Sequence, residues 1–235
     1  MFDYDALMQK AAAAKDRYAE AAPFPHTYID DFLPQEVATE VAAALPHPDD
    51  GGHFNFFYAK GFEEKWSVSD DFALPAPVRA LVREFNSTRY IRFLEALTGI
   101  PHLLPDPHMF GAGVHLVKRG GVLQIHSDFN WAEHLQAHRR VNMFVYLTPG
   151  WQPEWGGALE LWDRACKEKV QEYAPIFNRF VVFSSCSDTF HGHPHPLNCP
   201  EGILRRSIAM YYYTTQRPAA EIREPHNTLY KGYHF

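Results

Sequence analysis

The C-terminal half of the sequence holds side chains that could bind one metal ion together. His126 and Asp128 are separated by one residue, where the apolar run VLQIH ends. In an extended chain, side chains two positions apart project from the same face, so an imidazole and a carboxylate can reach one ion from a single strand end. The later segment SDTFHGHPHPL offers a third ligand in His191, His193 or His195. Two histidines and one carboxylate on one side of a metal are typical of oxygen-activating non-haem iron(II).

Each of these segments also has a simpler interpretation. A His-x-Asp tripeptide is common by chance in a chain with 14 histidines, and HGHPHP alone fits a surface loop or an adventitious metal clamp. A further pattern is Arg205-Arg206-Ser207, at the start of the run RSIAMYYY. Alternation places Arg205 and Ser207 on one face of a strand, where a guanidinium and a hydroxyl can hold a carboxylate by paired hydrogen bonds. The alternative for Arg205 is a solvated charge at a strand end.

Short strands are the elements that must position these residues. From about Met109 onward, Gly, Pro and Asn separate seven runs of strand length: GVHLV, VLQIH, VNMFVYL, ALELW, KVQEY, RFVVF and RSIAMYYY. No long helical stretch lies between them. The pattern therefore indicates an antiparallel sandwich or barrel rather than a parallel α/β sheet.

The N-terminal part of the sequence has helical texture instead. Composition and periodicity predict helices over residues 3–20, 33–45, 76–85 and 87–97. Residues 49–71 contain Gly51, Gly52 and many aromatic side chains without a clear period, which indicates a loop or an irregular edge strand. We expect one domain over residues 1–235, made of a helical support region (1–108), a β core (109–215) and a C-terminal tail (216–235).

Composition and charge exclude several classes of protein. Of the 235 residues, 46% are hydrophobic and 21% charged, as in an ordinary globular protein. The net charge is −6 and no run of Lys or Arg is present, which argues against a nucleic-acid partner. The three cysteines form no CxxC pair, and no stretch is apolar enough for a signal peptide or a membrane span. The sequence therefore predicts a cytoplasmic protein without a membrane anchor, and it does not indicate an oligomeric state.

Taken in order, His-x-Asp, a distal histidine and Arg-x-Ser resemble the 2-oxoglutarate-dependent iron(II) oxygenase superfamily, in its prolyl-hydroxylase-like branch. The resemblance covers roughly Gly111 to Thr215 and, more weakly, the opening PFPHTYIDDFLPQEVA. It implies a mainly β fold with flanking α-helices, a double-stranded β-helix or cupin-like jelly-roll barrel on which the N-terminal helices pack. It also implies a hydroxylase that uses iron(II), 2-oxoglutarate and O2 and releases succinate and CO2. Ascorbate is compatible with this chemistry as a reductant.

The resemblance assigns roles to particular residues. The metal ligands are His126, Asp128 and His191, and His193 is the rival of His191. The cosubstrate residues are Arg205, which pairs with the distal carboxylate of 2-oxoglutarate, and Ser207, Tyr146, Asn142 and Gln124. Tyr146 matches a tyrosine that donates to the same carboxylate, although an ordinary buried tyrosine is the alternative. Asn142 lies on the strand face of Tyr146, and Gln124 on that of His126.

The loop that follows Asp128 is the predicted substrate-binding element, with Phe129, Asn130, Trp131 and His134. We expect the substrate to be a small molecule or an amino-acid or peptidyl residue. HLVKRGG lacks the tyrosine that many prolyl hydroxylases carry before their Gly-rich turn, so prolyl specificity does not follow. Asp128 favours hydroxylation, because halogenating relatives typically have Gly or Ala there. The alternatives are a cupin-like zinc or manganese enzyme of the isomerase type and a non-catalytic ligand-binding barrel.

Overall fold

The computed structural model describes residues 2–50, 55–59 and 62–231 of the chain. Within them, the α-helices are Tyr4–Ala19 (α1), Gln35–Ala44 (α2), Ala76–Phe85 (α3) and Thr88–Thr98 (α4). The first strands are His26–Ile29 (β1), Asn55–Ala59 (β2), Phe62–Val68 (β3), Leu104–Pro105 (β4), Gly113–Ser127 (β5), Trp131–Ala132 (β6) and Ala137–Tyr146 (β7). The others are Leu159–Trp162 (β8), Lys169–Tyr173 (β9), Phe180–Ser184 (β10), His191–His193 (β11), Arg205–Thr214 (β12) and Leu229–Tyr230 (β13).

The four helices lie close to their predicted bounds, and α1 and α4 begin at side-chain caps that the sequence carries. The Asp3 side chain accepts hydrogen bonds from the first free amides of α1, and the Ser87 hydroxyl does the same for the Tyr90 amide of α4. Gly99 ends α4 in the left-handed conformation, with φ of 70°. The apolar faces of α3 and α4 join one continuous core with the sheet, in which Phe32 stacks on Phe180 at 4.3 Å between ring centroids.

The strands form one curled antiparallel sheet in the order β1-β10-β7-β12-β5-β11-β8-β9. The long strand β5 connects its two halves. Through Gly113–Val117 it pairs with β12, and through residues 123–127 it pairs with β11 and β13. Residues on both halves of β5 therefore face one interior space. The predicted fold class, mainly β with flanking helices in a double-stranded β-helix, is confirmed.

The sequence did not indicate every strand. The loop alternative for residues 49–71 is wrong, because β2 and β3 form an antiparallel pair and β3 continues the sheet beside β5. Residues 51–54, 60 and 61 of that segment lie outside the described residues. Strands β1, β11 and β13 were not predicted, since two to four residues are too few to show a period. The single-domain interpretation stays a prediction. In the described part of the chain, no helix has both the length and the apolarity needed to cross a bilayer.

Candidate active site

Strand pairing brings the three predicted metal ligands together. His126 lies near the end of β5, Asp128 follows that strand, and His191 opens β11, where it pairs with His126 across the ladder. The ligand atoms of the three residues all lie within 4.8 Å of one another, and all three residues are buried. Asp128 lies between the imidazoles, with Oδ1 at 3.5 Å from His126 Nε2 and Oδ2 at 3.4 Å from His191 Nε2.

The backbone fixes the orientation of both imidazoles. Nδ1 of His126 lies 2.8 Å from the carbonyl oxygen of Gln124, and Nδ1 of His191 lies 3.0 Å from that of Thr189. In each ring Nδ1 is therefore the protonated nitrogen, and Nε2 presents its lone pair to the centre of the group. Burial, together with the neighbouring His126, lowers the pKa of His191 to about 4, so this ring is neutral at pH 7.

Asp128 is held as a carboxylate by two side chains from β7. Asn142 Nδ2 donates to Asp128 Oδ2 at 2.6 Å, and Arg139 Nη2 lies 3.0 Å from the same oxygen. Burial raises the pKa of Asp128, but Arg139 and the two histidines outweigh it and hold the pKa well below its usual range. Arg139 is itself 2% exposed and stacks on Tyr211, with Cζ 3.5 Å from the ring centroid. No role was predicted for Arg139 from the sequence. The one signal for it there is a positive charge near the start of an apolar strand.

These donors fit iron(II). Two imidazoles and one carboxylate converge from one side, and a cavity of about 390 Å³ opens on the group. This donor set is the one that non-haem iron(II) oxygenases use. His193, the predicted rival of His191, lies away from the group and pairs with Leu123 instead. The geometry therefore favours His191 as the distal ligand.

Alanine substitutions at the two histidines test this choice. We expect His191→Ala to lose iron(II) binding by at least ~10²-fold, because it removes one of three ligands, and His193→Ala to keep the metal. Titration of the apoprotein with iron(II) under argon measures both. Retained binding in His191→Ala together with loss in His193→Ala would reverse the assignment.

The other end of the cavity is built to hold an anion. Arg205 opens β12, donates from Nε to the carbonyl oxygen of Gly157 at 2.8 Å, and places Nη2 3.3 Å from the hydroxyl of Tyr146. Ser207 and Tyr146 are paired across β12 and β7 and line the same cavity. The Ser207 hydroxyl is buried and has no hydrogen-bond partner within the described residues. A carboxylate placed here would receive donors from all three residues.

Two further basic residues line this end, and the sequence did not indicate either role. Lys65 of β3 faces Val117 of β5, which in turn faces Arg205 of β12, so the three form one row across the sheet. Burial and the nearby Arg205 lower the pKa of Lys65 to about 8. The second is His193, whose Nδ1 is buried without a hydrogen-bond partner in the described part of the chain. Both side chains lie on the cavity wall and suit an anionic ligand such as 2-oxoglutarate.

Gly157 makes room for the Arg205 side chain. A Cβ at Gly157 would lie 2.9 Å from Arg205 Cδ and 2.6 Å from Leu197 Cδ2, and its φ is +71°. We expect Gly157→Ala to move the guanidinium and weaken 2-oxoglutarate binding by about tenfold or more, in addition to a backbone penalty of ~1 kcal/mol. Gly150→Ala is the matched control, because its φ is +66° and nothing lies within 4 Å of an added Cβ. Equal 2-oxoglutarate affinity in the two variants, measured by calorimetry, would contradict the role given to Gly157.

Two predicted cosubstrate residues lie elsewhere. The Asn142 side chain is occupied by Asp128 and by Arg139, whose Nε donates to Asn142 Oδ1 at 2.8 Å, so it supports a metal ligand and does not line the cavity. Gln124 is also outside the cavity lining, and its side-chain oxygen is buried without a partner in the described residues. Face alternation alone suggested both residues. The register between β5 and β11 shifts between Leu123 and His126, which breaks the alternation at Gln124, and the Asn142 amide is occupied by Arg139 and Asp128.

The predicted substrate loop is divided between two places. Phe129 lines the cavity, whereas Trp131 and His134 line an outer cleft that opens beside it. His134 is oriented by Asp106, with 3.1 Å between Nε2 and Oδ2. Asn130 lines neither space, because its amide binds the backbone of residues 224–226. The substrate-binding role of this loop stays a prediction.

Comparison with known proteins agrees with the geometry. Residues 112–213 match the family model of the 2OG-Fe(II) oxygenase superfamily. The prolyl 3-hydroxylase OGFOD1 of Mus musculus is 30% identical over 93 residues, which is 37% of this chain but only 17% of that protein. The chain thus spans less than a fifth of the length of this curated relative.

Solved structures show the same fold. A prolyl hydroxylase from Trichoplax adhaerens, in complex with a hypoxia-inducible-factor peptide, superposes with a TM-score of 0.65 at 18% identity, over 89% of this chain and 91% of that one. A prolyl-4-hydroxylase from Pseudomonas putida gives 0.60 at 19% identity, over 87% and 98%. The family match covers His126, Asp128, His191 and Arg205. Over residues 112–213, this chain is therefore similar to the 2OG-Fe(II) oxygenase superfamily.

Proposed function

We propose that this chain is a 2-oxoglutarate- and O2-dependent iron(II) hydroxylase of an unactivated C–H bond in a small molecule or in an amino-acid or peptidyl residue. One observation carries the proposal: a single buried cavity holds the His126, Asp128 and His191 donors at one place and the Arg205–Tyr146 pair at another. The balanced reaction converts C–H, 2-oxoglutarate and O2 into C–OH, succinate and CO2.

Each residue has a defined task in this reaction. Arg205, Tyr146 and Ser207 bind the distal carboxylate of 2-oxoglutarate, which directs its keto-acid end toward the metal ligands. When bound, iron(II) supplies the redox chemistry that couples O2 to oxidation of the keto acid and the substrate. Arg139 and Asn142 keep Asp128 charged and in place. Apolar residues of the wall, Phe144 and Leu159 among them, reduce the access of water to the reacting groups.

The cosubstrate pocket favours this function over the two alternatives. An isomerase of the cupin type needs a metal but has no need for a guanidinium and a phenol paired at the far end of the cavity. A non-catalytic barrel needs neither the buried ligand triad nor the ion pair that holds Asp128. The substrate is not a nucleic acid in this proposal, because no basic surface run accompanies the net charge of −6. None of the three cysteines Cys166, Cys186 and Cys199, all within the described residues, is in a disulfide, which supports a location in the reducing cytoplasm.

Oxygen dependence of succinate formation tests the function. Under argon, iron(II) and 2-oxoglutarate should together produce a weak visible charge-transfer band that neither gives alone. Admission of air should then release succinate, and chelation of the metal should prevent it. A protein that binds zinc or manganese tightly and gives neither band nor succinate would contradict the proposal and favour the isomerase alternative.

A further inference from the structure

The C-terminal segment, residues 224–231, is attached to the strand that carries the metal ligands. Leu229 pairs with Ser127 and Tyr230 with His126, and the Lys231 amide donates to the Ile125 carbonyl oxygen at 2.8 Å. This segment thus adds a strand to the edge of β5 at the metal-binding end. The sequence suggested only a tail.

Asn130 fixes the same segment from the other side. Its Nδ2 donates to the carbonyl oxygen of Glu224 at 2.9 Å, and its Oδ1 accepts from the amide of His226 at 2.9 Å. The His226 ring is in turn hydrogen-bonded to the Ser187 hydroxyl at 2.7 Å. Because Asn130 is buried and lies two residues after Asp128, the segment is fastened to the loop that carries a metal ligand.

Tyr230 lies at the boundary between the two spaces beside the site. Its ring centroid is 5.4 Å from that of His126, and its side chain lines both the inner cavity of about 390 Å³ and the outer cleft of about 930 Å³. The other residues common to both spaces are His108, Phe110, Phe129 and Thr228. These five residues lie at the boundary between the outer cleft and the cavity that contains the metal ligands.

The inner and outer spaces differ in chemistry. The inner cavity contains Lys65 and Arg205, which suit a dianion, whereas its third strong base, Arg139, is paired with Asp128. The outer cleft contains four Phe, Trp and Tyr side chains, two histidines and the Glu133 carboxylate, and no lysine or arginine is among the described residues that line it. Phe110 is 61% exposed and packs edge-on to Phe129 at 5.6 Å. A fixed, exposed ring of this kind is a platform for a flat apolar group.

We propose that Tyr230 sets the width of the passage to the metal, and that the outer cleft binds the part of the substrate beyond the oxidised carbon. That part carries a flat apolar face and is uncharged or cationic. The inference rests on the proposed function. It makes Tyr230 a specificity-determining residue, and it makes the substrate larger than the inner cavity alone can hold.

Two metal-binding probes test the passage without any natural substrate. Imidazole and 4-phenylimidazole are mixed under argon with the cobalt(II)-loaded full chain, and binding is followed by stopped-flow visible absorption. Tyr230→Ala should raise the association rate of 4-phenylimidazole at least ~10-fold relative to imidazole, and Tyr230→Trp should lower it. Phe110→Ala should raise the dissociation rate of 4-phenylimidazole several-fold and leave imidazole unchanged, since the phenyl group loses its platform.

Leu229→Ala is the matched control, because Leu229 lies on the same strand, is 45% exposed and lines neither space. Thermal melting of every variant checks the fold, and the Trp variant tests the passage even if the Ala variant unfolds. Equal ratios of the two probes in wild type, Tyr230→Ala and Tyr230→Trp would overturn the role of Tyr230. Unchanged dissociation in Phe110→Ala would overturn the cleft assignment. Failure of the wild-type protein to bind cobalt(II) or iron(II) would overturn the proposed function itself.

Discussion

Replacing Asp128 with alanine is expected to abolish succinate formation, with a loss of at least ~10³-fold. The change removes the only carboxylate of the described ligand group. Substitutions of residues that hydrogen-bond to a metal ligand already reduce metal affinity or activity about 10–100-fold. Loss of the ligand itself should therefore reduce both by more. Iron(II) titration and succinate formation measure the two effects separately.

The same substitution should also lower stability. It leaves the Arg139 guanidinium, which is 2% exposed, without its ion-pair partner, and a buried charge that loses its partner costs about 3–5 kcal/mol. Asp188→Ala is the control, because Asp188 forms a surface ion pair with Arg164 at 2.6 Å that is worth less than ~1 kcal/mol. Denaturant unfolding of the two apoproteins makes the comparison. Wild-type rates of succinate formation in Asp128→Ala would remove Asp128 from the ligand set.

Arg205→Ala is expected to raise the dissociation constant of 2-oxoglutarate by about 10²-fold or more, with a smaller effect on the rate at saturating cosubstrate. Removing one member of a buried, hydrogen-bonded charge pair costs about 2–5 kcal/mol, and each 1.4 kcal/mol is about tenfold in affinity. The charge-transfer band, titrated with 2-oxoglutarate under argon, reports the constant directly. Arg205→Lys should lie between wild type and Ala, since an ammonium keeps the charge but lacks the planar fork that reaches Gly157 and Tyr146 together.

The neighbouring arginine provides the control for this experiment. Arg206 points to the opposite face of β12, where Nη1 donates to the Ala42 carbonyl oxygen of α2 at 3.0 Å. Arg206→Ala should therefore reduce stability slightly and leave 2-oxoglutarate affinity unchanged. If the two alanine variants bound 2-oxoglutarate equally well, Arg205 would not be the residue that binds its distal carboxylate. Lys65 would then be the first candidate.

Strand alternation was a sound guide where a residue and its partner lie on one regular strand. It placed His126 beside Asp128 at a strand end, and it separated Arg205 from Arg206 at the head of β12. It did not hold at Gln124, because the register between β5 and β11 shifts there. At Asn142 it could not show that the amide is occupied by Arg139 and Asp128. His193 was the alternative to His191 as a metal ligand. It lines the cavity, but it lies at the cosubstrate end and not beside the metal ligands.

The sequence by itself determined the kind of chemistry: the ligand types, their order and the guanidinium that follows them are local features, read from neighbouring residues and the two-residue period of a strand. The tertiary structure alone decided which groups surround that chemistry. Lys65 comes from β3, Arg139 from β7 and Tyr230 from the C-terminal strand, and these distant segments meet only when the sheet curls and β5 takes partners on both halves. Such pairings cannot be predicted from the period of the local sequence. The register between strands far apart in the chain is set by the packing of the whole core.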